Sequence, residues 1–176
     1  MAYLTFKDLT TAPLATKAAK LNESIKAYYS TDTKVFLSYR RKDREYVEGV
    51  VKLLKQIGVT VYVDYLDETL EDRNSKDVAT TLRERIGACS KFITLATPDS
   101  GNSKWMPWEL GLGDRIVNYT NVAVLPLTAN EYHWSDQEYG KIYSRIERNG
   151  LNVASADDWN VIYPDNTKMP LRQWLR

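Results

Sequence analysis

The sequence predicts an α/β domain built on a parallel sheet, because short, predominantly apolar runs alternate with helical patterns and polar breaks separate them. Strands that are apolar throughout are buried on both faces, so helices must lie above and below them. Val35-Phe36-Leu37 reads as the first strand. A helix follows whose apolar face carries Tyr46, Val50, Leu53, Leu54 and Ile57, and Gly58 supplies its C-terminal cap. Val59 to Val63, rich in β-branched residues, is the second strand. The polar loop 64–74 leads into a helix from Ser75 to Ala88. Phe92 to Ala96 is the third strand, a helix near Lys104 to Asn118 follows, and Val122 to Leu127 is the fourth strand. Ahead of this core, residues 13–29 place Leu14, Ala18, Leu21 and Ile25 at helical spacing. Beyond Leu127 the pattern predicts helical spacing over Glu138 to Glu147, an edge strand over Trp159 to Tyr163 and a terminal helix over Leu171 to Leu175.

The expected organisation is an N-terminal helical extension, residues 1–33, and one domain with a C-terminal extension, residues 34–176. The extension is either a cover for the domain or a helix for a partner. A formal net charge of +1 gives no global field toward nucleic acid or membrane. One cysteine, Cys89, precludes an internal disulfide, and with His133 as the one histidine a zinc site of usual ligands is not expected. No apolar run nears the ~20 residues of a membrane span. The first residues lack the apolar block of a signal peptide, so a cytoplasmic location is expected.

In an open sheet of this kind a ligand sits outside the carboxyl ends of the strands, where the strand order reverses. In the flavodoxin-like order 2-1-3-4-5, that point lies between strands one and three. The chain leaves strand one as Ser38-Tyr39-Arg40-Arg41-Lys42-Asp43 and strand three as Thr97-Pro98-Asp99-Ser100. It then enters the helix carrying Trp105 and Glu109. The cations Arg40, Arg41, Lys42 and Arg44 are either a solvated helix start or a seat for phosphate. The second reading resolves their conflict with the positive end of a helix. Trp105 and Glu109 are four apart, hence on one helical face. They are either a core indole with an exposed acid, or a stacking surface beside a carboxylate. Pro107 fits only if the helix begins near Lys104. Gly111-Leu112-Gly113 lies within a helix, so close packing explains it better than a phosphate loop. No Walker loop is present.

Lys34-Val35-Phe36-Leu37-Ser38-Tyr39-Arg40-Arg41 resembles the first conserved box of Toll/interleukin-1 receptor (TIR) domains. Val61-Tyr62-Val63-Asp64 and the following loop resemble the second strand and its BB loop, and Ser103-Lys104-Trp105 to Glu109 resembles the tryptophan-x-x-x-glutamate segment of NAD-cleaving members. The resemblance runs from about Lys34 to Leu127 and is nearest to bacterial stand-alone TIR proteins of the Thoeris type of anti-phage defence. It implies an NAD+ nucleosidase that releases nicotinamide and leaves ADP-ribose or a cyclic isomer, with Glu109 as catalytic carboxylate. It also implies that Ser38, Tyr39, Arg40, Arg41, Asp64 and Trp105 contact NAD. NAD would be substrate, with no resident cofactor and no metal. The implied partners are further copies of the chain and a downstream effector sensing the nucleotide product. The alternative is a non-catalytic TIR module that signals by self-association.

Overall fold

The computed structural model describes residues 2–10, 33–63, 75–103, 105–134, 139–149 and 158–176. The central strands are β2 (Lys34–Ser38), β3 (Thr60–Val63), β4 (Lys91–Ala96) and β5 (Val122–Thr128). The helices between them are α2 (Arg44–Ile57), α3 (Ser75–Gly87) and α4 (Met106–Val117). All four strands fall on the predicted apolar runs. Gly58 takes φ +99°, the left-handed conformation a helix-ending glycine supplies, and its N–H bonds to the Lys55 carbonyl at 3.0 Å. The predicted helix over residues 13–29 and the loop 64–74 lie outside the described residues.

Among the described residues the sheet has eight strands, seven of them in the order β3-β2-β4-β5-β6-β7-β8, where β6 is Ser144–Arg148, β7 is Trp159–Ile162 and β8 is Lys168–Pro170. From β3 to β6 the pairing is parallel, and its first five strands follow the 2-1-3-4-5 order. The last two pairings are antiparallel. Alternation along the strands divides the core. Val35, Leu37, Ile93, Leu95 and Leu125 face α2 and the C-terminal helix α6 (Leu171–Trp174), whereas Phe36, Phe92, Val122 and Val124 face α3 and α4.

The structure departs from the sequence prediction in two regions. Residues 139–147 are not one helix: α5 (Tyr139–Ile142) is a single turn, and β6 begins at Ser144. The charged letters of β6 disguise a strand because its charges are paired inside the protein. Arg145 Nε meets Glu147 Oε1 at 2.5 Å, and the buried Arg148 reaches Asp8 Oδ2 at 3.4 Å. β7 is likewise no edge, since β8 lies outside it.

The second departure is at the N-terminus. Leu4–Thr5 forms β1, parallel to β5 with Leu4 opposite Leu127, and Phe6–Thr10 forms the short α1. Asp8 caps that turn by accepting from Thr5 N (2.9 Å) and Thr5 Oγ1 (2.7 Å). α1 rests on α2 through Phe6 against Tyr46, ring centroids 4.8 Å apart, and through Leu9 against Gly49. Residues 2–10 are thus joined to the sheet and not merely laid upon it.

Candidate active site

The crevice predicted between the exits of β2 and β4 is where the structure gathers its polar groups. Ser38 is the last residue of β2 and is buried, with Thr94 of β4 as its register partner. Its side chain shares a face with Phe36, so it points toward α4. There Ser38 Oγ donates a 2.6 Å hydrogen bond to Glu109 Oε2. A bond this short to a carboxylate is charge-assisted and fixes the acid against the sheet. Glu109 is half-buried rather than directed into bulk water.

Local chemistry starts α4 in the right place. Met106 N donates to Ser103 Oγ at 3.2 Å, and Pro107 occupies the first turn, where a missing N–H costs nothing. Glu109 N bonds to the Trp105 carbonyl at 2.8 Å, so these residues sit one turn apart on one face. Trp105 is 42 % exposed. It meets Trp108 edge-on, with centroids 5.7 Å apart and planes at 85°, and Arg83 lies 6.0 Å from the Trp108 ring. An indole that exposed presents a face for stacking.

The arginines divide. Arg40 is anchored by protein groups: Nε and Nη2 donate to Asp43 Oδ2 and Oδ1 at 3.2 and 2.9 Å, and Nη1 donates to the Asp99 carbonyl at 3.0 Å. The Asp43 hydrogen bond, followed by the charges of Asp43 and Asp99, raises the guanidinium above its ordinary range despite partial burial. Arg41 is exposed on the short 3-10 turn Arg41–Asp43. Tyr39 is half-buried and packs on the α2 side of the sheet, so the structure does not bring its ring to Ser38 and Glu109. Asp64 lies outside the described residues.

Sequence reasoning assigned no role to Asp43, Thr97, Asp99 or Ser100, which tie the two strand exits together. The buried Asp43 also accepts from Thr97 Oγ1 at 3.0 Å, and Thr97 N donates to Ser100 Oγ at 2.8 Å. The available signal was position: polar residues that follow directly on two apolar parallel strands. Below them, Thr94, Ala96, Ser100, Met106, Pro107, Leu110 and Val124 line a small, largely apolar hollow under the first turn of α4. Cys89 is buried, and burial pushes its thiol up to about 12, which disfavours the reactive thiolate. Among the described residues no three His, Cys, Asp or Glu side chains form a metal cluster, and no helix is long and apolar enough to cross a membrane.

The assembled chemistry is one oriented carboxylate, one exposed indole a turn away and a guanidinium spanning the crevice mouth. The family model described as "TIR domain" matches residues 35–137. A relative from Bacillus cereus (strain MSX-D12), described as "Probable 3' cyclic ADP-D-ribose synthase ThsB'", is 30 % identical over 146 residues, which is 81 % of this chain and 75 % of the relative.

Proposed function

This chain belongs to the TIR domain family, and on that premise we propose that it cleaves the bond between nicotinamide and ribose in NAD, with Glu109 as the catalytic carboxylate. The observation that carries this reading is the 2.6 Å bond from Ser38 Oγ to Glu109 Oε2, which orients an acid in the crevice where a ligand of such a sheet belongs. The name of the Bacillus cereus relative supports the same chemistry, and favours a cyclic ADP-ribose product.

One acid suffices for this reaction. In glycoside hydrolysis a second carboxyl group protonates an alkoxide leaving group. Nicotinamide in NAD is already cationic, so the C1′–N bond breaks with its electron pair passing to the ring nitrogen, and a neutral molecule departs. The ribose becomes an oxocarbenium ion. Glu109 stabilises that developing charge, and its worth rises because the site is partly withdrawn from water. Capture by water, with loss of a proton, yields ADP-ribose. Capture by a hydroxyl or ring nitrogen of the same molecule, again with loss of a proton, yields a cyclic isomer. Excluding water favours the second route.

Trp105 stacks a planar ring of the substrate, and Arg40 and Arg41 meet its diphosphate. The protein acts in the cytoplasm, in the anti-phage setting that the family resemblance implies, and its nucleotide product informs an effector. Self-association is supported by the exposed apolar residues Trp108 and Ile116 of α4 and Trp105 just ahead of it. If α4 serves a purely associative module, the chain assembles at high concentration without releasing nicotinamide.

The test is mass spectrometry of NAD incubated with the protein at low and high concentration, expecting free nicotinamide and ADP-ribose or its cyclic form; intact NAD in both samples overturns the reading. Two substitutions probe the site. Ser38→Ala removes a charge-assisted hydrogen bond worth about 1.5–3 kcal/mol, so kcat is expected to fall roughly 10- to 100-fold; an unchanged kcat would remove Ser38 from the mechanism. Trp105→Ala is expected to weaken nucleotide binding by about 1–3 kcal/mol, the range for stacking on an aromatic ring. Equal dissociation constants for ADP-ribose would show that the indole does not contact the nucleotide.

A further inference from the structure

Arg40 faces two acidic residues of different character. Asp43 is buried, holds two guanidinium nitrogens and also accepts from Thr97, so its pairing belongs to the scaffold. Asp99 is held to Arg40 by its backbone carbonyl, at 3.0 Å. Its carboxylate is 70 % exposed and stands 3.6 Å from Nη2, beyond a good hydrogen bond but within the reach of charge. An exposed carboxylate in that position contributes little to stability. It does place an anion on the solvent side of the cation, at the mouth of the crevice.

We propose that Asp99 is a specificity-determining residue, its carboxylate standing on the outer side of Arg40 as an anion that the substrate's diphosphate must displace. The proposal rests on the reading that the diphosphate seats at Arg40. Like charges cannot share the position without cost, so Asp99 weakens capture of anionic nucleotides and leaves uncharged nucleosides unaffected. It sets the concentration at which NAD occupies the site, while Glu109 sets the rate of the chemistry.

The experiment measures binding of ADP-ribose and of adenosine at low ionic strength, to wild type and to Asp99→Asn. ADP-ribose is expected to bind Asp99→Asn roughly two- to fivefold tighter, matching the weight of an exposed ion pair. The gain fades as salt screens it, adenosine affinity stays the same, and KM for NAD falls by the same factor while kcat does not. The gain must also vanish without the cation. Because Arg40→Gln alone leaves the buried Asp43 carboxylate unpaired, the background is the double substitution Arg40→Gln/Asp43→Asn, checked for folding by its melting temperature. Equal or weaker ADP-ribose binding by Asp99→Asn, an equal gain for adenosine, or a gain that persists in that background overturns the proposal. Nicotinamide release by wild type is read separately. Tighter ADP-ribose binding without release supports the role of Asp99 and overturns bond cleavage; release without tightening does the reverse.

Discussion

Glu109→Gln is expected to lower nicotinamide release from NAD by at least ~100- to 1000-fold, the usual loss when one preorganised charge-stabilising group is removed. The substitution keeps the size and planarity of the side chain, and its amide oxygen can still accept from Ser38 Oγ, which now donates to Glu109 Oε2 at 2.6 Å. What it removes is the negative charge that the oxocarbenium ion meets. The fold has no reason to change, because the residue is half-buried and the amide replaces a hydrogen-bond acceptor with another. The measurement pairs mass spectrometry of the nicotinamide formed with a melting curve of the same sample. Equal release by mutant and wild type, at equal melting temperature, would end the assignment of Glu109.

Gly113→Ala is expected to destabilise the protein by about 1–3 kcal/mol, the range for inserting a methyl group into a packed core. A Cβ at Gly113 would stand 2.6 Å from Phe92 Cδ2 and 2.8 Å from its Cγ, distances that real carbon atoms do not tolerate. Phe92 cannot yield. It is wholly buried on a central strand and stacked on Phe36, with centroids 5.3 Å apart and planes at 12°, and Phe36 is in turn stacked on Tyr62. The helix must therefore retreat from the sheet. Glu109 is one turn upstream on the same helix, so activity falls with stability as the acid moves away from Ser38. Gly111 is the internal control, since a Cβ there meets nothing within 4 Å. Gly111→Ala removes backbone freedom from a helix and is expected to stabilise by up to about 1 kcal/mol. A lower melting temperature for Gly113→Ala, by roughly 2–4 °C per kcal/mol in a domain of this size, beside a steady or higher one for Gly111→Ala, is the expected pair of results. The opposite ranking would show that α4 does not lie so close to β4.

The central strands were legible because complete burial leaves an unmistakable letter pattern, as in Val35-Phe36-Leu37 and Phe92 to Ala96. From their order alone the crevice could be located, and Ser38, Arg40 and Glu109 were named around it. The bond between Ser38 and Glu109 could not be read, since 71 residues separate them and spacing carries information only along one element. The role of Arg40 was obscured for a related reason. A cluster of cations is visible in a sequence, but the buried Asp43 that satisfies one of them is visible only once its burial is known. Tyr39 was assigned by its place in a motif, while its side of the sheet was decided by the alternation of neighbours. β6 was hidden by charges that neutralise one another, and β1, two residues long, is too short for any period to register.

That short first strand makes completion of the sheet a distant event along the chain. Thr128 Oγ1 bonds to the Leu4 carbonyl across 124 residues, and Leu4 pairs with Leu127. Closing so wide a loop costs only about 0.6 kcal/mol more than closing one half as long, so thermodynamics scarcely penalises the arrangement. Timing is another matter. Leu4 and Thr5 are synthesised well before β5, yet must wait for that strand before they have an edge to join.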